Sequence, residues 1–237
     1  MNFLGANAAF GLLAAALWGG GDFAGSISVR RMGSTIRGAL LVVLLGHILS
    51  LAIVASLAAL HGDAFPHGAA LWWGIGGGAI SSVSLVAFYI ALSTGHMGSA
   101  AAVSGLLCAA VPAVVSAFLD GAPGILRILG FLLAGAAIWM IASSADPTHS
   151  ASRQAMILSV LGGLGFGIYF TALKFAGEAG VLWGMAVARI GSAGTAFAIL
   201  VVMALIGISE QGHVDARRIK TLGFIASGAA LDTGGNL

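Results

Sequence analysis

The chain has 237 residues, of which 59% are apolar and only 8% charged, and its formal net charge is +2. A soluble domain carries roughly a quarter charged residues and needs polar atoms to cover its surface, so a water-soluble globule is excluded. No basic stripe interleaved with aromatics is present, which excludes a nucleic-acid binder.

With a mean hydropathy of +1.05, the solvent is lipid, where only helices and closed barrels satisfy the backbone. Barrel strands alternate apolar and polar residues. Here residues 38–60 and 126–142 form long apolar runs instead, so the expected class is an all-α polytopic helix bundle. A span needs about 20 mostly apolar residues. On that basis eight helices are predicted, at 5–28, 34–60, 69–93, 98–118, 123–143, 155–176, 181–208 and from 219 onward.

No Lys or Arg precedes Arg30, so the first apolar stretch reads as a retained span and not as a cleaved signal. Within it Trp18 and Asp22 are four residues apart and share a face. An ionisable group at a span's centre costs roughly 2.5–3.5 kcal/mol on insertion scales. Asp22 is therefore a candidate proton carrier or partner for a cationic substrate; the competing reading is an acid capped by Arg30 or Arg31 or by a neighbouring backbone. The second helix opens with Arg37, expected like Arg189 to snorkel toward headgroups, and holds His47, the one deeply placed histidine. Trp72-Trp73 marks a membrane interface at the start of the third helix.

Tyr89 and Tyr169, the only tyrosines, fall inside the third and sixth helices, either lining a cavity or packing the core. A buried hydroxyl of this kind seeks a partner. Pro112 is expected to kink the fourth helix. Lys174 and Glu178 have the i,i+4 spacing of a surface ion pair at the membrane boundary. Asp232 and Asn236 lie one turn apart in the last helix, where they either face a cavity or, for Asp232, pair with a basic side chain near a helix end.

Glycine supplies 37 residues, about twice the usual ~7% share. The pairs Gly21/Gly25, Gly74/Gly78 and Gly163/Gly167 match the small-xxx-small pattern that lets membrane helices approach closely. The single cysteine, Cys108, excludes an intramolecular disulfide and a cysteine metal site, and the six histidines form no metal spacing. No metal or cofactor is expected. Nor is an enzyme. Ala102-Val103-Ser104-Gly105 lacks the first glycine that an intramembrane serine protease would want, and no Gly-x-x-x-x-Gly-Lys-Ser/Thr loop is present for ATP-driven pumping.

The halves of the chain repeat. Trp18-Gly19-Gly20-Gly21 followed by Arg30-Arg31 is matched by Gly162-Gly163-Leu164-Gly165 followed by Lys174. Arg37 is matched by Arg189, and Gly77-Gly78-Ala79 by Ser227-Gly228-Ala229, at an offset of about 150 residues. This gives a first five-helix repeat over 1–145, a linker over 146–154, and a second, incomplete repeat over 155–237. An odd number of spans per repeat inverts the second copy, a recurring transporter design with its site at the midplane. The correspondence also leads to the expectation that about 55–65 residues, with a ninth and tenth helix, are missing after Leu237 and that this fragment alone does not transport.

Several runs resemble the drug/metabolite transporter superfamily, specifically its EamA-type permeases. The best are Phe88-Tyr89-Ile90-Ala91-Leu92, Ser104-Gly105-Leu106, Val111-Pro112, Phe118-Leu119-Asp120-Gly121 and Gly130-Phe131-Leu132-Leu133-Ala134-Gly135; Leu17-Trp18-Gly19 is similar too. The family often has Gly-Glu where this chain has Asp120-Gly121. The resemblance implies ten helices in two inverted repeats and export or exchange of small metabolites or drugs, by alternating access around a midplane cavity. The expected partners are a small-molecule substrate, the lipid bilayer and a coupling proton, in the plasma membrane. A non-transporting scaffold or sensor subunit, or an intramembrane enzyme, is the alternative. Neither the substrate nor an oligomeric state follows from the residues. Orientation stays open: the family implies a cytoplasmic N-terminus, whereas Arg30, Arg31, Arg37, Arg153, Arg217, Arg218 and Lys220 favour the opposite by the positive-inside rule.

Overall fold

A computed structural model describes residues 3–93, 97–121, 123–143, 152–208 and 218–237. Eight α-helices make up the described chain: α1 Phe3–Arg31, α2 Ile36–His61, α3 Ala69–Ser93, α4 Met97–Leu119, α5 Ile125–Ser143, α6 Arg153–Ala176, α7 Val181–Leu205 and α8 Arg218–Asn236. One 3-10 turn, Gly177–Ala179, joins α6 to α7, and no strand is present among the described residues. Part of the expected linker, and His96, His149 and His213, lie outside those residues.

Local chemistry sets the helix ends. Thr35 caps α2 by accepting from the Gly38 N–H at 3.0 Å, and Gly62 ends that helix at φ 80°, its N–H returned to the Ala58 carbonyl. That left-handed geometry favours glycine. Ser152 caps α6 by accepting from the Ala155 N–H at 3.1 Å. Such caps satisfy backbone groups that a helix end leaves free.

Among the described residues six helices are long and apolar enough to cross a membrane, which supports an integral membrane protein. All eight expected helices are therefore present, and six of them reach spanning length and hydropathy among the described residues. In α5 the apolar stretch with described side chains is Ile125–Met140. In α8 (Arg218–Asn236) Lys220, Asp232, two threonines and several glycines dilute the apolar content.

The central helix is α3: 67% of its apolar window is buried, against 6% for α4. It packs on α6 and α7, while α1 packs on α8, α2 on α7 and α4 on α6. Among the described residues α5 touches α4 alone. Small residues make these crossings possible. Gly78 of α3 lies so close to the Ala188 carbonyl of α7 that a Cβ would collide with it. A Cβ on Gly163 would stand 2.6 Å from the Ser104 carbonyl oxygen of α4, and one on Gly21 3.2 Å from that of Gly228 in α8. Between the crossings the core is aliphatic, with Leu40, Val43, Leu85, Ala196 and Met203 forming one cluster.

Candidate functional site

At the centre of the bundle lies a cavity of about 180 Å³. Five of the sequence candidates line it together: Trp18 and Asp22 from α1, Tyr169 from α6, and Asp232 and Asn236 from α8. Tyr89 is not among them. It packs against Gly25 and lines a smaller recess of about 30 Å³, which it shares with His47 and Asp232. Pro112 lies within α4, which stays helical across it, and does not line the cavity.

Arg189, which also lines the cavity, overturns the snorkelling expectation. Its residue is 3% exposed, and its Nη2 donates to Asp232 Oδ2 at 2.6 Å. The physical reason is proximity of partners. Arg189 stands about two turns inside α7, with α2 on one side and α8 on the other. Its Nη1 donates to His47 Nε2 at 3.1 Å and its Nε to Ser50 Oγ at 3.0 Å. A guanidinium satisfied on three nitrogens gains nothing by stretching toward headgroups.

Arginine has donors only, and that fixes the direction of its surrounding bonds. His47 Nε2 accepts, so the imidazole proton sits on Nδ1 and is donated to Ser192 Oγ. Ser50 accepts from Arg189, so its hydroxyl donates to Thr233 Oγ1 at 2.8 Å, and Thr233 donates to the Ala229 carbonyl at 2.6 Å. A closed polar network thus ties α2, α7 and α8 together. Asn236 supports it by donating to the Asp232 carbonyl oxygen at 2.6 Å.

Asp22 is treated differently. It has no hydrogen bond or ion pair among the described residues. The expected caps are engaged elsewhere: Arg30 donates to the Ser93 carbonyl at 3.2 Å, and Arg31 lies 4.9 Å over the Phe224 ring. Around it the walls are aromatic. Trp18 and Phe170 rings lie 5.3 Å apart, Tyr169 and Phe170 5.0 Å, and Phe88 and Phe166 5.5 Å. The Tyr169 hydroxyl is buried without a hydrogen-bond partner among the described residues.

Two further expectations resolve at the surface. Lys174 pairs with Asp120 at 3.2 Å and not with Glu178. Its helix ends at Ala176, so Glu178 falls in the 3-10 turn and off the i,i+4 face. Trp72 and Trp73 stand exposed at the start of α3, Trp73 stacked 5.1 Å from Phe175.

His47, Ser50, Ser192 and Thr233 were not sequence candidates. Their signal was the same helical spacing used for Trp18 and Asp22. His47/Ser50 and Arg189/Ser192 are i,i+3 pairs of polar groups in otherwise apolar helices, and each pair occupies one face. No group of histidine, cysteine or acidic side chains among the described residues is arranged to hold a metal. No family model, curated protein or solved structure matches the chain.

Proposed function

We propose that the protein is a secondary active transporter of small metabolites or drugs, of the EamA type in the drug/metabolite transporter superfamily. It exports or exchanges its substrate across the plasma membrane by alternating access, coupled to the proton. The observation that carries this reading is Asp22, a carboxylate without a partner among the described residues, beside a central cavity in an apolar bundle. Ionisable groups in such positions mark substrate or proton pathways. A scaffold has no use for one.

The packing supports two inverted repeats, α1–α5 and a second that begins at α6. If α6, α7 and α8 correspond to α1, α2 and α3, then α3 against α6 is the counterpart of α8 against α1, and α2 against α7 lies across the pseudo-symmetry axis. All three contacts are present. Glycines sit at both of these helix crossings: Gly21 of α1 meets Gly228 of α8, and Gly165 of α6 meets Ser84 of α3. The cavity lies between the halves, lined from α1, α3 and α4 on one side and α6, α7 and α8 on the other.

The test is flux in proteoliposomes reconstituted from the full-length gene product, against a panel of amino acids, nucleosides, sugars and amines, with and without an imposed pH gradient. At least one solute should move in response to the gradient, and Asp22→Asn should abolish that response. Failure of the whole panel, or gradient-driven flux unchanged by the substitution, would contradict the proposed mechanism.

A further inference from the structure

Charge in the cavity does not balance. Of its lining residues only Asp22, Arg189 and Asp232 are formally charged, and Arg189 and Asp232 neutralise each other at 2.6 Å. One negative charge is left, on Asp22. A lone carboxylate in apolar surroundings takes up a proton or a cation.

Three other observations narrow the cation. Five aromatic residues, Trp18, Phe88, Phe166, Tyr169 and Phe170, line the same space, and ring faces attract cations most strongly where water is excluded. Among the described residues no hydrogen bond reaches the Asp22 carboxylate, which lines the cavity; a ligand N–H would supply the missing donor. The volume of about 180 Å³ slightly exceeds the roughly 150 Å³ of an apolar cavity that binds benzene. One ring and a short arm match that volume.

We propose that the cavity binds a primary arylalkylamine as its ammonium ion, paired with Asp22 and with its ring among the aromatics, and that this cation and a proton occupy Asp22 alternately. The role in transport rests on the reading given above, whereas the binding site is testable without it. The corresponding α-amino acids are selected against, because their carboxylate would meet Asp22 and Asp232. The one nearby cation, Arg189, already has Nε, Nη1 and Nη2 engaged. Quaternary ammonium ions are disfavoured as well, since they have no N–H to donate to Asp22.

The titratable groups around Asp22 come from six helices: His47 of α2, Tyr89 of α3, Cys108 of α4, Tyr169 of α6, Arg189 of α7 and Asp232 of α8. His47 is committed as acceptor to Arg189 and donor to Ser192, and Asp232 is paired. Tyrosine and cysteine are uncharged when protonated. Asp22 is left as the group that trades a proton for the ligand.

The experiment is equilibrium binding of radiolabelled phenethylamine to the purified protein in detergent across a pH series, with phenylalanine and benzyltrimethylammonium as competitors. Binding should saturate at one site and weaken about tenfold per pH unit once Asp22 is protonated. Both competitors should bind at least about tenfold more weakly, from like-charge contact or a lost hydrogen bond. Asp22→Asn should weaken binding about a hundredfold, and Asp22→Glu should retain it. The pH series and the competitor ranking use the unaltered protein, so they hold even if a variant misfolds.

Absence of saturable phenethylamine binding, binding indifferent to pH, or tighter binding of phenylalanine overturns the assignment. If phenethylamine does not bind but another solute moves under a pH gradient, the amine falls and the transporter stands. If it binds as described and no solute moves, the site stands and transport falls.

Discussion

Removing the Arg189 guanidinium would leave Asp232 as a second unpaired carboxylate at the cavity. Breaking a buried pair from one side costs about 3–5 kcal/mol. The Asp232 side chain keeps 34% exposure, so the loss for Arg189→Met is expected near the lower end, about 3 kcal/mol. Replacing both partners, Arg189→Met with Asp232→Leu, should recover most of it, because apolar substitutes for a buried pair are neutral or stabilising. Unfolding titrations in mixed micelles measure both; additive losses would show that the pair is not coupled. At the surface, the Ser116 hydroxyl and the Lys174 ammonium beside Asp120 hold its carboxyl below the ordinary value of 3.8. A depressed acid contributes stability above its unfolded value and loses it as pH falls through the folded one. Asp120→Asn should therefore flatten the stability profile below pH ~4 and change nothing at neutral pH beyond the small share of an exposed pair. Asp22 was legible in the sequence because one carboxylate in an apolar run has no ordinary explanation. Arg189 was misread because its distance from the helix start favoured headgroups, and nothing local showed that His47, Ser50 and Asp232 would converge on it.

Helices were the most legible element, because a run of apolar residues in lipid has no other way to satisfy its backbone. Boundaries shifted by a few residues where caps decide them, as at Thr35 and Ser152. Crossings were legible only as glycine pairs; which helix each pair faces depends on the tertiary arrangement. Gly78 gives the sharpest test, since the atom a Cβ would strike is backbone, the Ala188 carbonyl, and backbone cannot step aside as a side chain can. Gly78→Val should separate α3 from α7 and lower stability by about 3 kcal/mol or more. Gly130→Ala on α5, where a Cβ meets nothing within 4 Å, should raise stability slightly through helix propensity, by up to about 1 kcal/mol. Thermal unfolding in detergent separates the two. Equal losses would mean that glycine content matters through backbone entropy and not through close approach.

Contacts between helix ends sort the whole molecule into two faces. Arg30 at the end of α1 reaches the Ser93 carbonyl at the end of α3, and Arg31 covers Phe224 near the start of α8. On the other face Lys174 of α6 meets Asp120 after α4, and Trp183 at the start of α7 donates to the Asp63 carbonyl after α2. The first face carries Arg30, Arg31, Arg37, Arg153, Arg218 and Lys220; the second has Arg127 and Lys174 together with Asp63, Asp120 and Glu178. Of the basic residues expected to snorkel away from this count, Arg189 is buried in a network and belongs to neither face. Arg30 and Arg31 stay at the end of their helix. The asymmetry is therefore one of helix ends and short loops, the quantity on which the positive-inside rule depends. By that rule the first face is expected in the cytoplasm and the start of α1 outside, against the orientation implied by the EamA resemblance. In a Cys108→Ala background, Ser34→Cys on the basic face should be protected from a membrane-impermeant thiol reagent in intact cells. His67→Cys on the opposite face should react, and permeabilisation should expose both. The reverse pattern would restore the family orientation and make the basic residues of the first face an outward-facing ring.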